Sequence, residues 1–145
     1  MNILIVHGPN LHLLGTREPE LYGSTTLKQL DARLKARAAG LNARLRCFQS
    51  NCEGEIIDIM TANAGWAHAL IINPAAYTHY SYAIRDAIKA LGLKAVEVHL
   101  TDILKRETFR KTSVIRPVCA TQFKGEGTVS YMKALEYCVK NFKDN

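Results

Sequence analysis

The 145-residue sequence predicts an α/β fold, a single domain with a five-stranded parallel sheet and helices on both faces. Short apolar runs of strand length alternate along the chain with longer segments whose apolar residues recur at helical spacing. The length is that of one domain, and no internal repeat, low-complexity stretch or Pro/Gly-rich linker divides it. We therefore treat residues 1–145 as one unit.

The first half of the chain predicts three strands and two helices. Asn2–Val6, Ala43–Gln49 and His68–Asn73 have the length and composition of buried or half-buried strands. Ser24–Ala39 carries leucines at helical spacing, begins with hydroxyl residues that can cap a helix and is followed by a glycine that can end one. Glu53–Asn63 carries isoleucines at the same spacing and is predicted as the second helix.

The second half continues the alternation. Ser81–Leu91 has isoleucines in helical register and is followed by glycine, and Ala95–Leu100 is the fourth strand. A short helical piece near Arg106–Lys111 and a weaker strand near Pro117–Thr121 come next, before a last helix over Thr128–Phe142. The predicted inner stripe of that helix is Met132, Leu135, Val139 and Phe142.

Five strand–helix units in 145 residues fit the flavodoxin-like doubly wound form. In this form ligands bind beyond the carboxyl ends of the strands. Polar residues collect after the predicted strands and should meet at this edge of the sheet. They are His7–Asn10, Gln49–Asn51, Asn73–His79 and His99–Asp102. Nearly twenty residues without periodicity follow the first strand, and connections of that length often form lids over active sites.

Composition excludes several classes of protein. Hydrophobic residues make up 48% and charged residues 22%, which is typical of globular proteins and unlike disordered chains. No apolar run approaches the roughly 20 residues that span a bilayer, and the N-terminus has no secretion signal, so we expect no membrane partner. The four cysteines show no zinc-ligand spacing and are predicted as free thiols of a cytoplasmic protein.

The net charge of +6 indicates a preference for anions. A basic nucleic-acid binder would need a base-reading or stacking element, and the sequence offers none, so we expect no nucleic-acid partner. A flavin-binding module would need a Ser/Thr/Gly-rich phosphate loop after the first strand, and a receiver-type module an acidic cluster. A binding or signalling module without chemistry of its own nevertheless remains the alternative to an enzyme.

Three segments carry a specific resemblance. GPNLHLLGTREPELYG, INPAAYTHYSYAIRDA and EVHLTDILKRETFRKTS resemble the type II 3-dehydroquinate dehydratase family, in order and over nearly the whole chain. The resemblance implies a single catalytic domain, a hydro-lyase that removes water from 3-dehydroquinate to give 3-dehydroshikimate. This reaction belongs to the shikimate pathway of aromatic amino acid biosynthesis, or to quinate catabolism. The family uses no cofactor, neither metal nor nucleotide, and forms no imine.

The reaction needs a base, a stabiliser for the enolate oxygen, an acid and a clamp for the substrate carboxylate. On the family pattern Tyr22 is the base, and Arg17 supplies a positive charge that favours phenolate. His99 is the acid for the leaving hydroxyl, and Glu97, on the same strand face, can fix the imidazole tautomer and keep the ring protonated. Asn10 resembles the family residue that stabilises the enolate oxygen through a water.

The resemblance also implies substrate-binding residues and an assembly. The family's trimers stack into dodecamers, so we expect a homo-oligomer in which Asp86 reaches the neighbouring subunit's site. An amide turn before a helical piece is a ready anion site, and the family binds the substrate carboxylate at such a turn. The substrate-binding residues implied are Asn73, His79, Arg110, Asp86 and the turn Leu100–Thr101.

Each of these residues, taken alone, also has a simpler interpretation. Arg17 and Tyr22 suit an ordinary loop surface, and a lone strand histidine such as His99 is more often a satisfied core residue. Asn10 suits a turn after proline, and Asp86 suits the exposed face of a helix. The order and number of the matching segments favour the enzyme.

Five positions depart from the family pattern and put substrate affinity and C-terminal packing in question. His7 and Asp102 stand where the family usually has neutral amides, and Asp102 places a carboxylate beside the anion-binding turn. Ala75 and Ser130 replace common glycines, and Tyr80 replaces a threonine.

Overall fold

A computed structural model of the chain describes residues 1–142. Its five strands form one parallel sheet in the order β2-β1-β3-β4-β5, so the first strand lies inside and the chain winds outward in both directions. The strands are β1 (Asn2–His7), β2 (Arg44–Gln49), β3 (Ala69–Asn73), β4 (Ala95–His99) and β5 (Thr121–Lys124). This order belongs to the flavodoxin-like doubly wound form, which is the fold class that the sequence predicted.

Helices cover both faces of the sheet. They are α1 (Pro19–Tyr22), α2 (Leu27–Gly40), α3 (Glu53–Asn63), α4 (Tyr82–Ala90) and α5 (Thr128–Asn141). Short 3₁₀ turns occupy Leu11–Leu13, Ala75–His79, Ile103–Lys105, Thr108–Lys111 and Arg116–Val118. Among residues 1–142, none of the helices combines the length and the hydropathy needed to cross a lipid bilayer.

Two hydrophobic cores follow from the alternation of side chains along the strands. Ile3 and Ile5 of β1 face one side and pack with α2 and α5, whereas Leu4 and Val6 face the other and pack with α3 and α4. All four side chains are completely buried. This central strand is thus apolar on both faces from Ile3 to Val6, and its polar side chain His7 comes at the carboxyl end.

The start of α2 differs from the sequence prediction. Ser24 and Thr25 both suited the cap, but the helix is capped by Thr26, whose hydroxyl accepts a hydrogen bond from the Gln29 amide while the Gln29 side chain accepts one from the Thr26 amide. This reciprocal capping box makes Thr26 the favoured start. Gly40 is the last helical residue rather than a residue beyond the helix.

The fifth strand lies later than the predicted Pro117–Thr121. Residues Arg116–Val118 form a 3₁₀ turn that begins around a proline, and the strand runs over Thr121–Lys124 beside β4. Proline lacks the N–H that a sheet ladder needs, so pairing begins only after this turn. All four residues of β5 are only partly buried, which explains why their hydrophobic signal was weak.

The inner face of α5 also differs from the predicted stripe. The buried residues are Ser130, Tyr131, Ala134, Leu135 and Cys138, whereas Met132 and Val139 are only partly buried. The helix thus buries Leu135 and Tyr131 among small side chains, and of the predicted stripe Leu135 and Phe142 belong to the core whereas Met132 and Val139 lie at its edge. The helix also brings a buried phenol against β1.

All four cysteines are free thiols, as the spacing predicted. Burial raises the pKa of Cys119 and of Cys138 to about 12, so both stay protonated at neutral pH. Such buried thiols behave as small apolar side chains rather than as nucleophiles.

Candidate active site

A pocket opens at the carboxyl edge of the sheet, where β1, β3 and β4 end. Its polar lining comes from three stretches of chain that the sequence keeps far apart. The polar lining residues are Asn10, Arg17, Tyr22, Asn73, His79, His99, Thr101, Arg106 and Arg110. This set includes every residue predicted for the site from the sequence except Glu97 and Asp86, with Leu100 among the apolar lining.

Gly8 brings the ends of β1 and β3 together. Its amide donates to the Asn73 carbonyl at 2.7 Å, and a Cβ atom at Gly8 would lie 2.6 Å from the Pro74 carbonyl oxygen. Only glycine permits this close approach. Two residues later Asn10 adopts a left-handed conformation with φ 68°, and its amide donates to Asn51 Oδ1 at 3.0 Å.

A buried carboxylate lies behind His99. The His99 Nε2 atom is 2.6 Å from Glu97 Oε1, and Thr78 and Ser113 also donate hydrogen bonds to that carboxylate. Burial alone would raise the pKa of Glu97, but these hydrogen bonds and the His99 charge outweigh it and hold the pKa below its usual range. Glu97 is therefore ionised and fixes His99 through Nε2. Within residues 1–142 the other ring nitrogen, Nδ1, makes no hydrogen bond and is available to a ligand.

Two arginines lie beside Tyr22. The Arg106 guanidinium donates a hydrogen bond of 2.9 Å to the Tyr22 hydroxyl, and the Arg17 guanidinium carbon lies 5.1 Å from the centre of the Tyr22 ring. The sequence analysis assigned the positive charge to Arg17 alone. In the structure Arg17 contacts the ring, and Arg106 contacts the oxygen atom where negative charge would develop.

Asn73 and His79 line the pocket from the end of β3. The Asn73 Oδ1 atom accepts from the Ala75 amide at 3.1 Å, so the orientation of the side-chain amide is defined. His79 Nδ1 donates to the Thr112 carbonyl at 2.8 Å, which leaves Nε2 as an acceptor in the neutral ring. Burial lowers the pKa of His79, which favours this neutral form.

The turn after β4 forms another wall. Leu100 and Thr101 both line the pocket, and the Thr101 amide has no hydrogen-bond partner within residues 1–142. Arg110 reaches the same pocket from a later 3₁₀ turn while its Nε donates to Glu107 Oε2 at 2.6 Å. A free amide beside a guanidinium is suited to bind a carboxylate.

Asp102 faces away from this wall. Its Oδ1 atom accepts from the Leu104 amide at 3.1 Å and lies 4.0 Å from the Lys124 ammonium group. The carboxylate lines a separate, neighbouring groove rather than the pocket. Lys124, rather than Arg106 or Arg110, offsets its charge.

The family assignment comes from comparison with known proteins. The sequence model of the class II dehydroquinases matches residues 1–139. This chain belongs to the class II dehydroquinase family. A 3-dehydroquinate dehydratase from Pelotomaculum thermopropionicum is 49% identical over 93% of this chain and 94% of the relative. Catabolic 3-dehydroquinase 2 from Neosartorya fischeri is also 49% identical, over 96% of this chain and 93% of its own length.

Solved dehydroquinases share the fold. The crystal structure of type II dehydroquinase from Butyrivibrio crossotus matches with a TM-score of 0.93 and 40% identity, covering 97% of this chain and 98% of that one. The resemblance seen in the sequence is thus confirmed, and with it the flavodoxin-like fold and the class of enzyme.

Glu97 contacts this dehydroquinase pocket only through His99, and Asp86 lies outside it. Asp86 is exposed on α4 and does not line the pocket of its own chain. This position is compatible with the predicted role across a subunit interface, which stays a prediction.

Sequence analysis missed three residues that contact the site residues directly. Arg106 was named only as the start of a short helical piece, Thr78 only within the polar stretch Asn73–His79, and Ser113 was given no role. The basic residues of that helical piece were the available signal for Arg106. For the two hydroxyl residues the sequence offered no signal, because their contact with Glu97 depends on three separate segments meeting in the fold.

Proposed function

We propose that this dehydroquinase eliminates water from 3-dehydroquinate through an enolate to give 3-dehydroshikimate, using Tyr22 as the base and His99 as the acid. The observation that carries the proposal is one pocket with a phenol beside two guanidinium groups and an imidazole bound to a buried carboxylate. These are the two proton-transfer groups that an elimination beside a ketone requires.

Proton removal is assigned to Tyr22. A tyrosine acts as a base through its phenolate, so the pocket must stabilise negative charge on the Tyr22 oxygen. The guanidinium groups of Arg106, in contact with the hydroxyl, and of Arg17, beside the ring, are placed to stabilise that charge. The phenolate takes the proton from the carbon next to the ketone, and the electron pair of the C–H bond moves to form the enolate.

Stabilisation of the enolate oxygen is assigned to Asn10. The residue lies on the pocket wall in a left-handed conformation that is fixed by the bond from its amide to Asn51. Its side chain makes no hydrogen bond within the described residues and is free to bind, through a water, the oxygen that gains charge.

Loss of the hydroxyl group is assigned to His99. As the enolate collapses, the carbon–oxygen bond beta to the carbonyl breaks, and the hydroxyl leaves as water with a proton from His99. Tyr22 has then gained a proton and His99 has lost one, so exchange with solvent restores both groups. Glu97 holds the imidazole in place through its contact with Nε2.

Substrate binding is assigned to the remaining pocket residues. The Leu100–Thr101 turn and Arg110 bind the substrate carboxylate, and Asn73 and His79 bind the ring hydroxyl groups. The supporting feature is that these groups all line the pocket and that hydrogen bonds fix the orientations of Asn73 and His79. Asp86 contributes from a neighbouring subunit.

We propose further that the chain works in the cytoplasm as a homo-oligomer of trimers assembled into a dodecamer. Three aromatic side chains, Tyr80, Tyr82 and Phe109, are 59%, 62% and 61% exposed, as residues at a subunit interface would be in an isolated chain. The free cysteines suit a reducing compartment. Light scattering tests the assembly, and a fully active monomer would remove Asp86 from the site.

The activity is tested by following the absorbance of the conjugated product when the purified protein is mixed with 3-dehydroquinate. The matched variant is His99→Gln, which keeps an amide close to Glu97 but cannot supply a proton. Turnover by the wild-type protein and its loss in the variant support the proposal. Absence of turnover by the folded wild-type protein would refute it.

A further inference from the structure

Two hydroxyl side chains contact the Glu97 carboxylate that holds His99. Thr78, in the 3₁₀ turn Ala75–His79, donates to Glu97 Oε1, and the Ser113 hydroxyl lies 2.9 Å from Oε1 and 3.0 Å from Oε2. Thr78 and Glu97 are completely buried, and Ser113 is half-buried. The carboxylate therefore depends on these side chains, rather than on bulk water, for its hydrogen bonds.

Both hydroxyl protons are directed at the carboxylate. The Arg116 amide donates to Ser113 Oγ at 2.9 Å, so the single Ser113 proton is left for another acceptor. The Thr78 and Ser113 oxygens also lie 2.9 Å apart, so each hydroxyl has a neutral and a charged oxygen within reach. A hydrogen bond to a charged oxygen is the stronger of the two, so each proton goes to Glu97.

The two carboxylate oxygens have separate partners. Oε1 accepts from Thr78 and lies 2.6 Å from His99 Nε2, which must carry the proton of that contact because an ionised carboxylate only accepts. Within residues 1–142, Oε2 accepts only from Ser113. The carboxylate is thus held at both oxygens, and it cannot rotate without the loss of one of these bonds. Its fixed plane in turn fixes the direction of the His99 ring.

The same two segments are also joined by bonds that do not involve the hydroxyl groups. The Val114 amide donates to the Thr78 carbonyl at 2.8 Å, and His79 Nδ1 donates to the Thr112 carbonyl at 2.8 Å. Removal of a hydroxyl group should therefore leave His79 at its place on the pocket wall. The position of the acid and the binding of the substrate can thus be separated by mutation.

We propose that Thr78 and Ser113 are positioning residues that hold the Glu97 carboxylate, and through it the His99 ring, in the orientation that proton donation to the leaving hydroxyl requires. Neither side chain touches the substrate, and each acts through Glu97. The inference rests on the proposed role of His99 as the acid.

Two substitutions at Thr78 separate its hydroxyl group from its methyl group. Thr78→Val keeps the shape of the side chain and removes the donor, and we expect kcat to fall about tenfold or more with KM close to the wild-type value. Thr78→Ser keeps the donor, removes the methyl group and should retain most of the wild-type kcat. An equal or larger fall in kcat for Thr78→Ser would show that Thr78 acts through packing and would overturn the proposal.

Ser113→Ala is a second variant, at a position that is only half-buried. Water can reach the vacated place and donate to Oε2, so we expect kcat to fall by only about threefold, less than in Thr78→Val. An unchanged kcat in both variants, or a loss of activity that lies entirely in KM, would contradict the positioning role.

A double-mutant cycle tests whether the effect passes through Glu97. In the Glu97→Ala background the carboxylate is gone, so Thr78→Val should lower kcat no further. The same fold-change in both backgrounds would mean that Thr78 acts on another group, and the proposal would fail.

A spectroscopic readout keeps the test independent of the reaction. The N–H group at His99 Nε2 should give a resolved, slowly exchanging NMR signal, which is assigned by its absence from His99→Gln. The signal should persist in Thr78→Ser and exchange faster in Thr78→Val. An unchanged signal in Thr78→Val overturns the positioning role even if turnover is observed. Absence of turnover by the wild-type protein, together with the expected pattern of signals, would refute the proposed function and leave the positioning of His99 established.

Discussion

The Tyr22 hydroxyl accepts a hydrogen bond of 2.9 Å from Arg106, although 84 residues separate the two in the sequence. Tyr22 belongs to the long connection after β1, and Arg106 lies between two 3₁₀ turns after β4. The contact therefore ties the lid segment to the wall of the pocket. It also places positive charge at the hydroxyl of Tyr22, in addition to the Arg17 charge beside its ring.

Tyr22→Phe should lower kcat by at least about 100-fold, the scale of a lost general base, with KM close to the wild-type value. The substitution removes only the hydroxyl and keeps the ring that Arg17 contacts. Steady-state kinetics with 3-dehydroquinate measure the effect. A variant that turns over at nearly the wild-type rate would show that Tyr22 is not the base.

Arg106→Gln tests the charge beside that hydroxyl. Glutamine can still donate a hydrogen bond to Tyr22 but carries no charge, so negative charge on the Tyr22 oxygen is less stabilised and kcat should fall about tenfold or more. Arg106→Lys keeps the charge and is the control, which should retain more of the activity than Arg106→Gln. An unchanged kcat in Arg106→Gln, measured by steady-state kinetics, would argue against this role.

The periodicity of the sequence predicted the helices and strands. Where several of them begin and end depends on contacts that the periodicity does not show. The α3 helix has the predicted bounds because one apolar stripe and flanking loops define it. The start of α2 was misplaced because three successive hydroxyl residues can all cap a helix, and only the pairing with Gln29 selects Thr26. The β5 strand was misplaced because its residues are only half-buried and alternate weakly.

The candidate active site shows the same difference between what a local sequence pattern predicts and what depends on distant segments. Glu97 and His99 could be paired from the sequence, since residues two apart on a strand share a face. The Arg106–Tyr22 contact could not be predicted, because nothing local indicates which of several basic residues after β4 reaches the lid. From the sequence, His7 was only a departure from the family pattern. In the structure its two ring nitrogens contact Tyr131 and Asp31, which come from distant helices.

Glu97→Gln should lower both kcat and stability, and the loss of stability should depend on pH. The pKa of Glu97 is lowered in the folded protein, so the carboxylate stabilises the fold above the ordinary value of 4.5, and this contribution disappears as pH falls through the lower folded value. We expect a loss of about 1–2 kcal/mol in the free energy of unfolding at neutral pH.

Urea denaturation of the two proteins at a series of pH values measures this difference. The gap between wild type and Glu97→Gln should narrow as the pH is lowered into the acid range, because the wild-type carboxyl also becomes neutral there. A gap that stays constant at every pH would mean that the charge of Glu97 contributes nothing to stability.

Activity should survive both EDTA and treatment with borohydride in the presence of substrate. Within residues 1–142 no three His, Cys, Asp or Glu side chains are grouped as ligands of a metal would be. The described pocket lining includes three arginines and no lysine, so it offers no amine for an imine with the ketone. Inactivation by either reagent would overturn the direct enolate route.

Asp102→Asn should change KM by less than about threefold and leave kcat unchanged. A carboxylate about 6 Å from the bound substrate anion would repel it by about 3 kcal/mol at an effective dielectric of 20, before solvent screening. The structure reduces this effect, because Asp102 lines the neighbouring groove and lies 4.0 Å from Lys124. Asparagine keeps an oxygen to accept from the Leu104 amide, so the local turn is retained.

Lys124→Ala is the matched variant, because it removes the positive charge that offsets the Asp102 carboxylate. We expect it to raise KM, and by a larger factor than the change in KM caused by Asp102→Asn. In the Asp102→Asn background the lysine substitution should have a smaller effect on KM, because there is no longer a carboxylate to leave uncompensated. Both effects should shrink at high salt, since the two groups are partly exposed to solvent. A large fall in kcat for Asp102→Asn would instead show that this carboxylate takes part in the catalytic network.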